Sequence, residues 1–222
     1  MTVPLALPVD FVAVLVDWQR LHGRHHLPWQ RDRDPYRVWL SEVMLQQTQV
    51  VTVLDYFDRF LARFPTIHDL AAAPQEAVMS LWAGLGYYSR ARLLHRCAQA
   101  VVGEHGGTFP STIDALVKLP GIGPSTAAAI ASFCYAEPVS IYDGNVKRVL
   151  SRLLAYEGDL THSSDNKQLS DQAQRLLTIG IAQHRLSAAN TMPAYTQGLM
   201  DLGATICHSR EPLCASCPVR AM

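Results

Sequence analysis

The 222-residue chain carries 19 basic and 19 acidic residues, so its formal net charge is zero, and 49% of its residues are hydrophobic. The apolar runs are short and interrupted by charge, which excludes a transmembrane span, and residues 1–10 lack the basic start and long apolar centre of a secretory signal. This composition is typical of a globular protein with one domain or two compact lobes. Zero net charge argues against nucleic acid as a partner unless local clusters supply the phosphate contacts.

Helical periodicity dominates the chain and strand-like alternation is scarce, so the predicted class is all-α. Asp34 and Pro35 are suited to cap and begin a helix, and Ser111 is expected to cap a short one. The apolar spacing and the positions of Pro and Gly predict helices over residues 8–22, 35–64, 74–84, 87–106, 112–118, 127–133, 165–177 and 193–206, and one that begins at Asp143.

The helix predicted over residues 35–64 has two features that a core helix does not need. Residues 46–49 (Gln-Gln-Thr-Gln) place four neutral hydrogen-bonding side chains across its apolar stripe. Glu42 lies one turn from apolar residues such as Trp39, and a carboxyl group in such surroundings can stay protonated and act as a general acid. For an isolated glutamate, the more common situation is a solvated surface position.

Residues 119–126 (Leu-Pro-Gly-Ile-Gly-Pro-Ser-Thr) join two predicted helices through a tight turn. Gly121 and Gly123 allow the backbone to turn sharply and to expose its amides. Gly123 can cap the following helix with Pro124 at its first position, which leaves free amides at a helix end that attracts phosphate. Taken alone, such a turn is more often a plain helix–helix connection.

About twenty residues further on, Asp143 opens a helix in the run Asp-Gly-Asn-Val-Lys-Arg. The simplest role of this aspartate is to cap that helix, and a cap also fixes the position of its carboxylate. An ionised carboxylate and an acid on either side of a sugar are the arrangement that cleaves a glycosidic bond.

Leu-Pro-Gly-Ile-Gly followed at this distance by an aspartate resembles the helix–hairpin–helix DNA glycosylase superfamily, and Asp-Gly-Asn-Val-Lys-Arg resembles its adenine DNA glycosylase branch. The resemblance covers nearly the whole chain. It implies a six-helix barrel over residues 28–136. It also implies a second helical lobe, residues 1–27 and 137–222, with an iron–sulfur cluster loop. The implied partner is double-stranded DNA with adenine opposite 8-oxoguanine or guanine.

The resemblance also implies the catalytic roles. Glu42 would protonate adenine N7, and Asp143 would stabilise the cation that forms at C1′ of the deoxyribose, while Asn145 positions the attacking water. The related endonuclease III branch has a lysine at the position of Ser125, and serine cannot form the imine that leads to strand cleavage. We therefore expect a monofunctional glycosylase with little or no lyase activity.

A base inside a duplex must be flipped out before it can be cleaved, and the gap must be filled by a wedging side chain. By resemblance, Gln47 and Tyr87 are these wedges, and the hairpin holds a monovalent cation. The base pocket implied in the same way comprises Leu27, Trp29 and Gln197. The full set of expected DNA contacts is Gln46, Gln47, Thr48, Tyr87, Tyr88, Arg90, Leu119, Gly121, Gly123, Ser125 and Lys147.

Three of the five cysteines, Cys207, Cys214 and Cys217, are bunched near the end of the chain, whereas Cys97 and Cys134 lie in apolar contexts typical of core residues. An odd number in an intracellular protein indicates a metal site rather than disulfides. The spacing is similar to that of the superfamily's [4Fe–4S] loop, whose fourth cysteine would be residue 223. We expect a copy cut one residue short of that ligand. A substitute ligand, a missing cluster, or zinc on these cysteines and His208 are the alternatives.

No 8-oxoguanine recognition domain is expected within the chain. The protein is expected to be a cytoplasmic monomer, associated with the nucleoid if bacterial. One alternative function is a thymine or uracil mismatch glycosylase of the same superfamily. Others are a non-catalytic helix–hairpin–helix DNA-binding module and a purely structural iron–sulfur or zinc protein.

Overall fold

A computed structural model describes residues 7–222, so residues 1–6 of the predicted second lobe lie outside the described part. These residues form eleven α-helices and two short 3-10 turns without any strand, which confirms the all-α class. The helices are α1 Phe11–His22, α2 Pro35–Leu45, α3 Val50–Arg63, α4 Ile67–Ala72, α5 Gln75–Trp82, α6 Tyr88–His105, α7 Ile113–Leu116, α8 Pro124–Tyr135, α9 Gly144–Leu153, α10 Ser163–Gln183 and α11 Ala188–Thr205, and the 3-10 turns are Pro28–Gln30 and Cys214–Ser216.

The described chain divides into two compact units, one of residues 25–134 and one of residues 7–24 with 135–222. In the first unit, α2 packs against α3 and α6, while α6 also packs against α4 and α5. Its core is aromatic, with Trp29 edge-on to Phe57 (ring centroids 5.4 Å apart) and Phe60 edge-on to Trp82 (5.8 Å). Cys97 is fully buried there, and burial raises the pKa of its thiol to about 12, as expected for a neutral core residue.

In the second unit, α11 packs against α1 and α9, and α10 also contacts both of these helices. Phe11 of α1 meets Tyr195 of α11 edge-on with their centroids 6.4 Å apart. Burial raises the pKa of Tyr195 to about 12, so its hydroxyl stays protonated and can share a hydrogen bond with Ser140 (Oγ to OH 3.4 Å).

Several element boundaries differ from the sequence-based predictions. The helix predicted over residues 35–64 is two helices, because the chain breaks at residues 46–49, where Gln47 adopts a left-handed φ of 56°. The cap of α7 is Thr112 rather than Ser111, and α4 was not predicted. Pro193 lies inside α11 instead of beginning it, because burial of the surrounding residues keeps the helix intact across one missing backbone bond.

The packing of α10 against α1 is sensitive to size at Gly180. A Cβ atom there would lie 2.5 Å from Cγ2 of Val12 and 3.2 Å from the carbonyl oxygen of Val9. We predict that Gly180→Ala lowers the free energy of unfolding by about 1–3 kcal/mol, measured by urea denaturation. The matched control is Gly103→Ala in α6, where a Cβ meets nothing within 4 Å. That change should instead stabilise the chain by about 0.5–1 kcal/mol, and equal effects of both substitutions would contradict the packing argument.

Candidate active site

The hairpin between α7 and α8 exposes its glycine backbone and buries its apolar side chains. Leu119 and Ile122 are buried, whereas Gly121 and Gly123 are exposed. Gly121 has a φ of +76° and a Cβ there would lie 2.8 Å from Cβ of Leu93, so only glycine fits. Gly123 directly precedes α8, and its carbonyl accepts the first backbone bond of the helix, from Ala127 (2.9 Å). The amides at this helix start are therefore available to an anion, while the side chain of Leu119 is not available to a ligand.

Glu42 lies in the last half of α2 and is half-buried. The start of this helix is fixed as predicted, because the side chain of Asp34 accepts a hydrogen bond from the amide of Arg37 (2.9 Å). Val38 and Trp39, one turn before Glu42, are almost completely buried. Glu42 is therefore held on a rigid, well-packed helix, which is what a group that transfers a proton to a fixed atom requires.

Asp143 caps α9 as predicted: its Oδ1 accepts a hydrogen bond from the amide of Val146 at 2.8 Å. Asn145, in the first turn, accepts a bond from Nη2 of Arg148 on its Oδ1 (2.9 Å). Nζ of Lys147 lies 5.4 Å from the ring centroid of Tyr142. The carboxylate is thus locked in position by its own helix, with a polar side chain and a cation nearby.

The predicted wedge residues lie in two short loops of the first unit. Gln47 is exposed in the loop between α2 and α3, and Tyr87 is 59% exposed just before α6. Both have left-handed backbones, with φ of 56° and 49° respectively. Gln46 and Tyr88 are exposed beside them and Thr48 is half-buried. Exposed side chains on a strained backbone are a common feature of functional sites.

Arg90 departs from the expectation that it contacts a phosphate. Only 8% of its surface is exposed, and its guanidinium donates to the carbonyls of Val43 (3.0 Å), Met44 (2.9 Å) and Gln46 (2.6 Å). We therefore correct this assignment, because a guanidinium buried among backbone carbonyls is not available to DNA. In the sequence, Arg90 lies close to Arg92 and Arg96, and this pattern does not distinguish an arginine that points inward from one that points outward.

The basic residues of α9 are also used inside the protein. Arg148 donates to the carbonyls of Gly203 and Cys207 (both 2.8 Å), and Arg152 donates to the carbonyls of His208 (2.7 Å) and Ser209 (3.2 Å). These bonds attach the start of the cysteine segment to α9. Arg148 and Arg152 therefore hold this segment of the chain in place through their side chains.

The predicted base-pocket residues are buried within their own units. Leu27 and Trp29 are 2% and 7% exposed in the first unit, and the buried Nε2 of the adjacent Gln30 has no hydrogen-bond partner in the described chain. Gln30 is not among the predicted pocket residues, although it directly follows Trp29. A buried, unsatisfied amide is costly, so it is a candidate donor to a ligand.

In the second unit, Gln197 is held by Asp201, which is not among the predicted site residues. Its Nε2 donates to Oδ1 of Asp201 at 2.8 Å, and Asp201 is completely buried. Arg24 donates to the same carboxylate from Nε (2.7 Å) and from its backbone amide (2.9 Å). Because a carboxylate accepts only, the amide nitrogen of Gln197 must face Asp201, and its carbonyl oxygen must face away. Asp201 could have been found from the sequence, because an aspartate one helical turn after a glutamine on an apolar helix can hydrogen-bond to that glutamine.

Cys207, Cys214 and Cys217 line one cavity of about 210 Å³, together with apolar side chains and Arg152. Nη1 of Arg152 donates to Sγ of Cys207 at 3.2 Å. No group of three or more His, Cys, Asp or Glu side chains within residues 7–222 is arranged to hold a single metal ion. The donor chemistry and the shared cavity suit three of the four thiolates of an iron–sulfur cluster.

Residues 40–176, more than half of the chain, match the family model of the HhH-GPD superfamily base excision DNA repair proteins. The chain belongs to this superfamily. It is 43% identical to the adenine DNA glycosylase of Rattus norvegicus over 94% of this chain and 40% of that protein. It is 38% identical to that of Buchnera aphidicola subsp. Baizongia pistaciae over 95% of this chain and 57% of that protein. The chain thus spans about two fifths to three fifths of the length of these relatives.

Among solved structures, a thermostable thymine-DNA glycosylase superposes with a TM-score of 0.79 at 26% identity, covering 94% of this chain and 91% of that one. This match agrees with membership of the HhH-GPD superfamily and with the helical fold described above. None of the helices in residues 7–222 is long and apolar enough to cross a membrane.

The cap at Asp143 allows its structural role in this HhH-GPD chain to be separated from its chemical one. We predict that Asp143→Asn changes the free energy of unfolding by less than about 0.5 kcal/mol, since asparagine caps a helix as well as aspartate does. Asp143→Ala should cost about 1 kcal/mol, because the amide of Val146 then loses its acceptor. Both values are measured by denaturant unfolding. A loss in the asparagine variant as large as in the alanine variant would mean that the charge, not the cap, stabilises α9.

Proposed function

We propose that this chain is the catalytic part of a monofunctional DNA glycosylase that hydrolyses the N-glycosidic bond of adenine opposite 8-oxoguanine or guanine. The observation that carries the proposal is its 43% and 38% identity, over nearly the whole chain, to two proteins named adenine DNA glycosylase. The residues that this chemistry needs are present in the right types. In this proposal, Glu42 is the acid and Asp143 is the carboxylate.

Glu42 is proposed as the general acid. Adenine is a poor leaving group as an anion, and a proton delivered to N7 lets it depart neutral. Val38 and Trp39, which precede Glu42 on α2, are almost completely buried, so packing holds this part of the helix in place. The helix also fixes where the proton is delivered.

Asp143 is proposed to stabilise the positive charge that develops at C1′ as the base departs. This charge lies on an oxocarbenium-like sugar, and a fixed carboxylate offsets it without any reorganisation in the transition state. The hydrogen bond from Val146 leaves the second carboxylate oxygen of Asp143 to face the sugar. Asn145, oriented by Arg148, is proposed to position the water that completes the hydrolysis.

Ser125 supports hydrolysis without strand cleavage. It is half-buried in the first turn of α8, and its hydroxyl cannot form the Schiff base that an amine at this position would form. The amides of the hairpin are proposed to bind a phosphate of the DNA backbone, beside the predicted monovalent cation. Gln47 and Tyr87 are proposed to enter the duplex when the adenine flips out, since both are exposed.

Gln197 is proposed to read the flipped base. With its nitrogen held towards Asp201, the amide offers an acceptor and a donor in a fixed order. Adenine presents the amino donor N6 next to the acceptor N1, whereas hypoxanthine presents O6 and N1–H in the opposite order. A fixed amide therefore favours adenine.

Cys207, Cys214 and Cys217 are proposed as ligands of a [4Fe–4S] cluster. When bound, the cluster would cross-link the segment from residue 207 to residue 217 without taking part in the hydrolysis. Arg152 already donates to the sulfur of Cys207, and such a bond stabilises a thiolate ligand. Arg210 lies exposed on this segment and could contact a phosphate once the segment is ordered.

A thymine mismatch glycosylase is the second candidate function, favoured by the superposition on a thymine-DNA glycosylase at 26% identity. Thymine has no N7 to protonate and carries O4 where adenine carries its amino group. It therefore requires a donor where the fixed Gln197 amide presents its acceptor. The two candidates are separated by the substrate that is cleaved.

The first test is single-turnover base release from duplexes holding adenine or thymine opposite 8-oxoguanine or guanine. We predict adenine release, with strand breaks only after hot alkali. Glu42→Gln should slow release by about 10²–10⁴-fold, because it removes the proton donor. Strand breaks without alkali would contradict the role of Ser125. Thymine release would favour the second candidate, and duplex binding without release of either base would leave a binding module.

The second test concerns the orientation of Gln197. We predict that Asp201→Asn lowers the ratio of adenine to hypoxanthine release by about tenfold or more. An asparagine side chain can both donate and accept, so the Gln197 amide could then flip and present its donor and acceptor in either order. The ratio is measured as kcat/KM on matched duplexes, with thermal melting followed alongside. The control is Asp17→Asn, an exposed aspartate of α1 whose ion pair with Arg20 is loose (3.7 Å). Equal losses on both bases would mean that Asp201 only stabilises the fold.

A further inference from the structure

Two loops of the first unit hold non-glycine residues in left-handed conformations. They are Gln47, with a φ of 56°, and Tyr87, with a φ of 49°. Such a conformation costs roughly 1–2 kcal/mol for a residue with a Cβ atom, so the surroundings must hold it in place. Both side chains are largely exposed, so contacts made by other residues must supply most of that support.

The loop of Gln47 is held by one nitrogen of Arg90. Nη1 donates to the carbonyls of Val43 (3.0 Å), Met44 (2.9 Å) and Gln46 (2.6 Å). The first two belong to the last turn of α2, where carbonyls have no partner within the helix and carry its negative dipole end. A cation at this point therefore ends α2 and fixes the direction in which the chain leaves it.

The second nitrogen of Arg90 reaches both loops. Nη2 donates to Oγ1 of Thr48 at 3.1 Å and to the carbonyls of Leu85 (3.3 Å) and Gly86 (3.4 Å). The guanidinium carbon also lies 5.3 Å from the ring centroids of Trp82 and Tyr87. One planar group thus contacts the residues on both sides of Gln47 and the residues immediately before Tyr87.

Only arginine can make this arrangement. The planar guanidinium group carries donors on two terminal nitrogens that point in parallel directions. Lysine has a single nitrogen and cannot reach six acceptors around two loops. Burial lowers the pKa of Arg90, but a guanidinium stays charged at any physiological pH. Its charge is offset by the carbonyl dipoles and by the faces of the two aromatic rings.

We propose that Arg90 is a positioning residue that joins the two loops into one rigid unit, so that Gln47 and Tyr87 enter the duplex together in preformed conformations. That Gln47 and Tyr87 enter the duplex rests on the proposed function. That the two loops are held together rests on the contacts of Arg90. A preformed pair pays no ordering cost at the moment of base flipping, which is the benefit of fixing it beforehand.

The first experiment needs no DNA. Hydrogen exchange of the free chain is compared between the native protein, Arg90→Lys and the control Arg92→Lys, an exposed arginine of the same helix. We expect amides of residues 44–49 and 84–88 to exchange about tenfold faster in Arg90→Lys, and those of the 119–123 hairpin to be unchanged. Arg92→Lys should leave all three segments as they are. Unchanged exchange in both loops, or loosening of one loop alone, would overturn the proposal.

The second experiment uses a duplex in which adenine lies opposite 8-oxoguanine and the fluorescent base 2-aminopurine is the neighbour of that adenine. Its fluorescence rises when the adjacent base leaves the stack. The protein is saturating, and the temperature is well below the melting temperature of each variant. We expect Arg90→Lys to lose most of the fluorescence increase that the native chain produces, with Arg92→Lys unaffected. A full increase in Arg90→Lys would contradict the proposal. If the native chain gives no increase while the exchange result holds, the proposed function fails and the joining of the loops stands.

A milder variant covers the case in which Arg90→Lys does not fold. Thr48→Val removes one acceptor of Nη2 on the first loop, together with the weak bond that Oγ1 donates to the carbonyl of Gln46 (3.3 Å), and leaves the guanidinium in place. We expect faster exchange in residues 46–49 and a partial loss of the fluorescence change. An effect confined to global stability, with neither of these, would overturn the proposal.

Discussion

Each end of an α-helix leaves backbone groups without partners, and the candidate site of this protein is built on those ends. The start of α8 leaves amides that can bind an anion, and the start of α9 is completed by the side chain of Asp143. The end of α2 is completed by a guanidinium from α6. Because helix ends occupy fixed positions once the helices pack, the groups that complete them are fixed as well. A reaction that needs a carboxylate or an amide at a defined point can use such groups, because little further free energy is needed to order them.

The arginines follow the same logic and explain how a chain of zero net charge can belong to a DNA repair superfamily. Arg90, Arg148 and Arg152 are committed to carbonyl groups of their own chain. In the proposed function, attraction to DNA phosphates therefore comes from exposed amides and from the remaining surface cations.

Buried polar side chains fix which hydrogen-bonding groups the site presents. Asp201 is completely buried, with its oxygens bonded to Arg24 and Gln197, and it sets which end of the Gln197 amide is presented. A buried carboxylate tolerates no exchange of donor for acceptor, so it turns a freely rotating amide into one with a single orientation. In the other unit, the unsatisfied amide of Gln30 beside Trp29 offers a donor that no described residue uses.

The sequence by itself determined the features that depend on local chemistry. The all-α class, the cap at Asp143, the start of α2 at Pro35 and the hairpin around Gly121 follow from residue types over a few positions, and the structure agrees with all four. The reason is that caps and glycine turns are satisfied within three or four residues of the chain.

Tertiary structure alone decided the features that depend on distant partners. The helix predicted over residues 35–64 breaks at residues 46–49, where Arg90, more than forty residues later, binds the carbonyl of Gln46 and the hydroxyl of Thr48. The same residue reads as a surface cation in the sequence, since a pattern gives the face of a helix but not what packs on it. Pro193 and Asp201 lie in a helix held by its packing against α1 and α9. In each case the deciding energy comes from burial and long-range hydrogen bonds, which no local window contains.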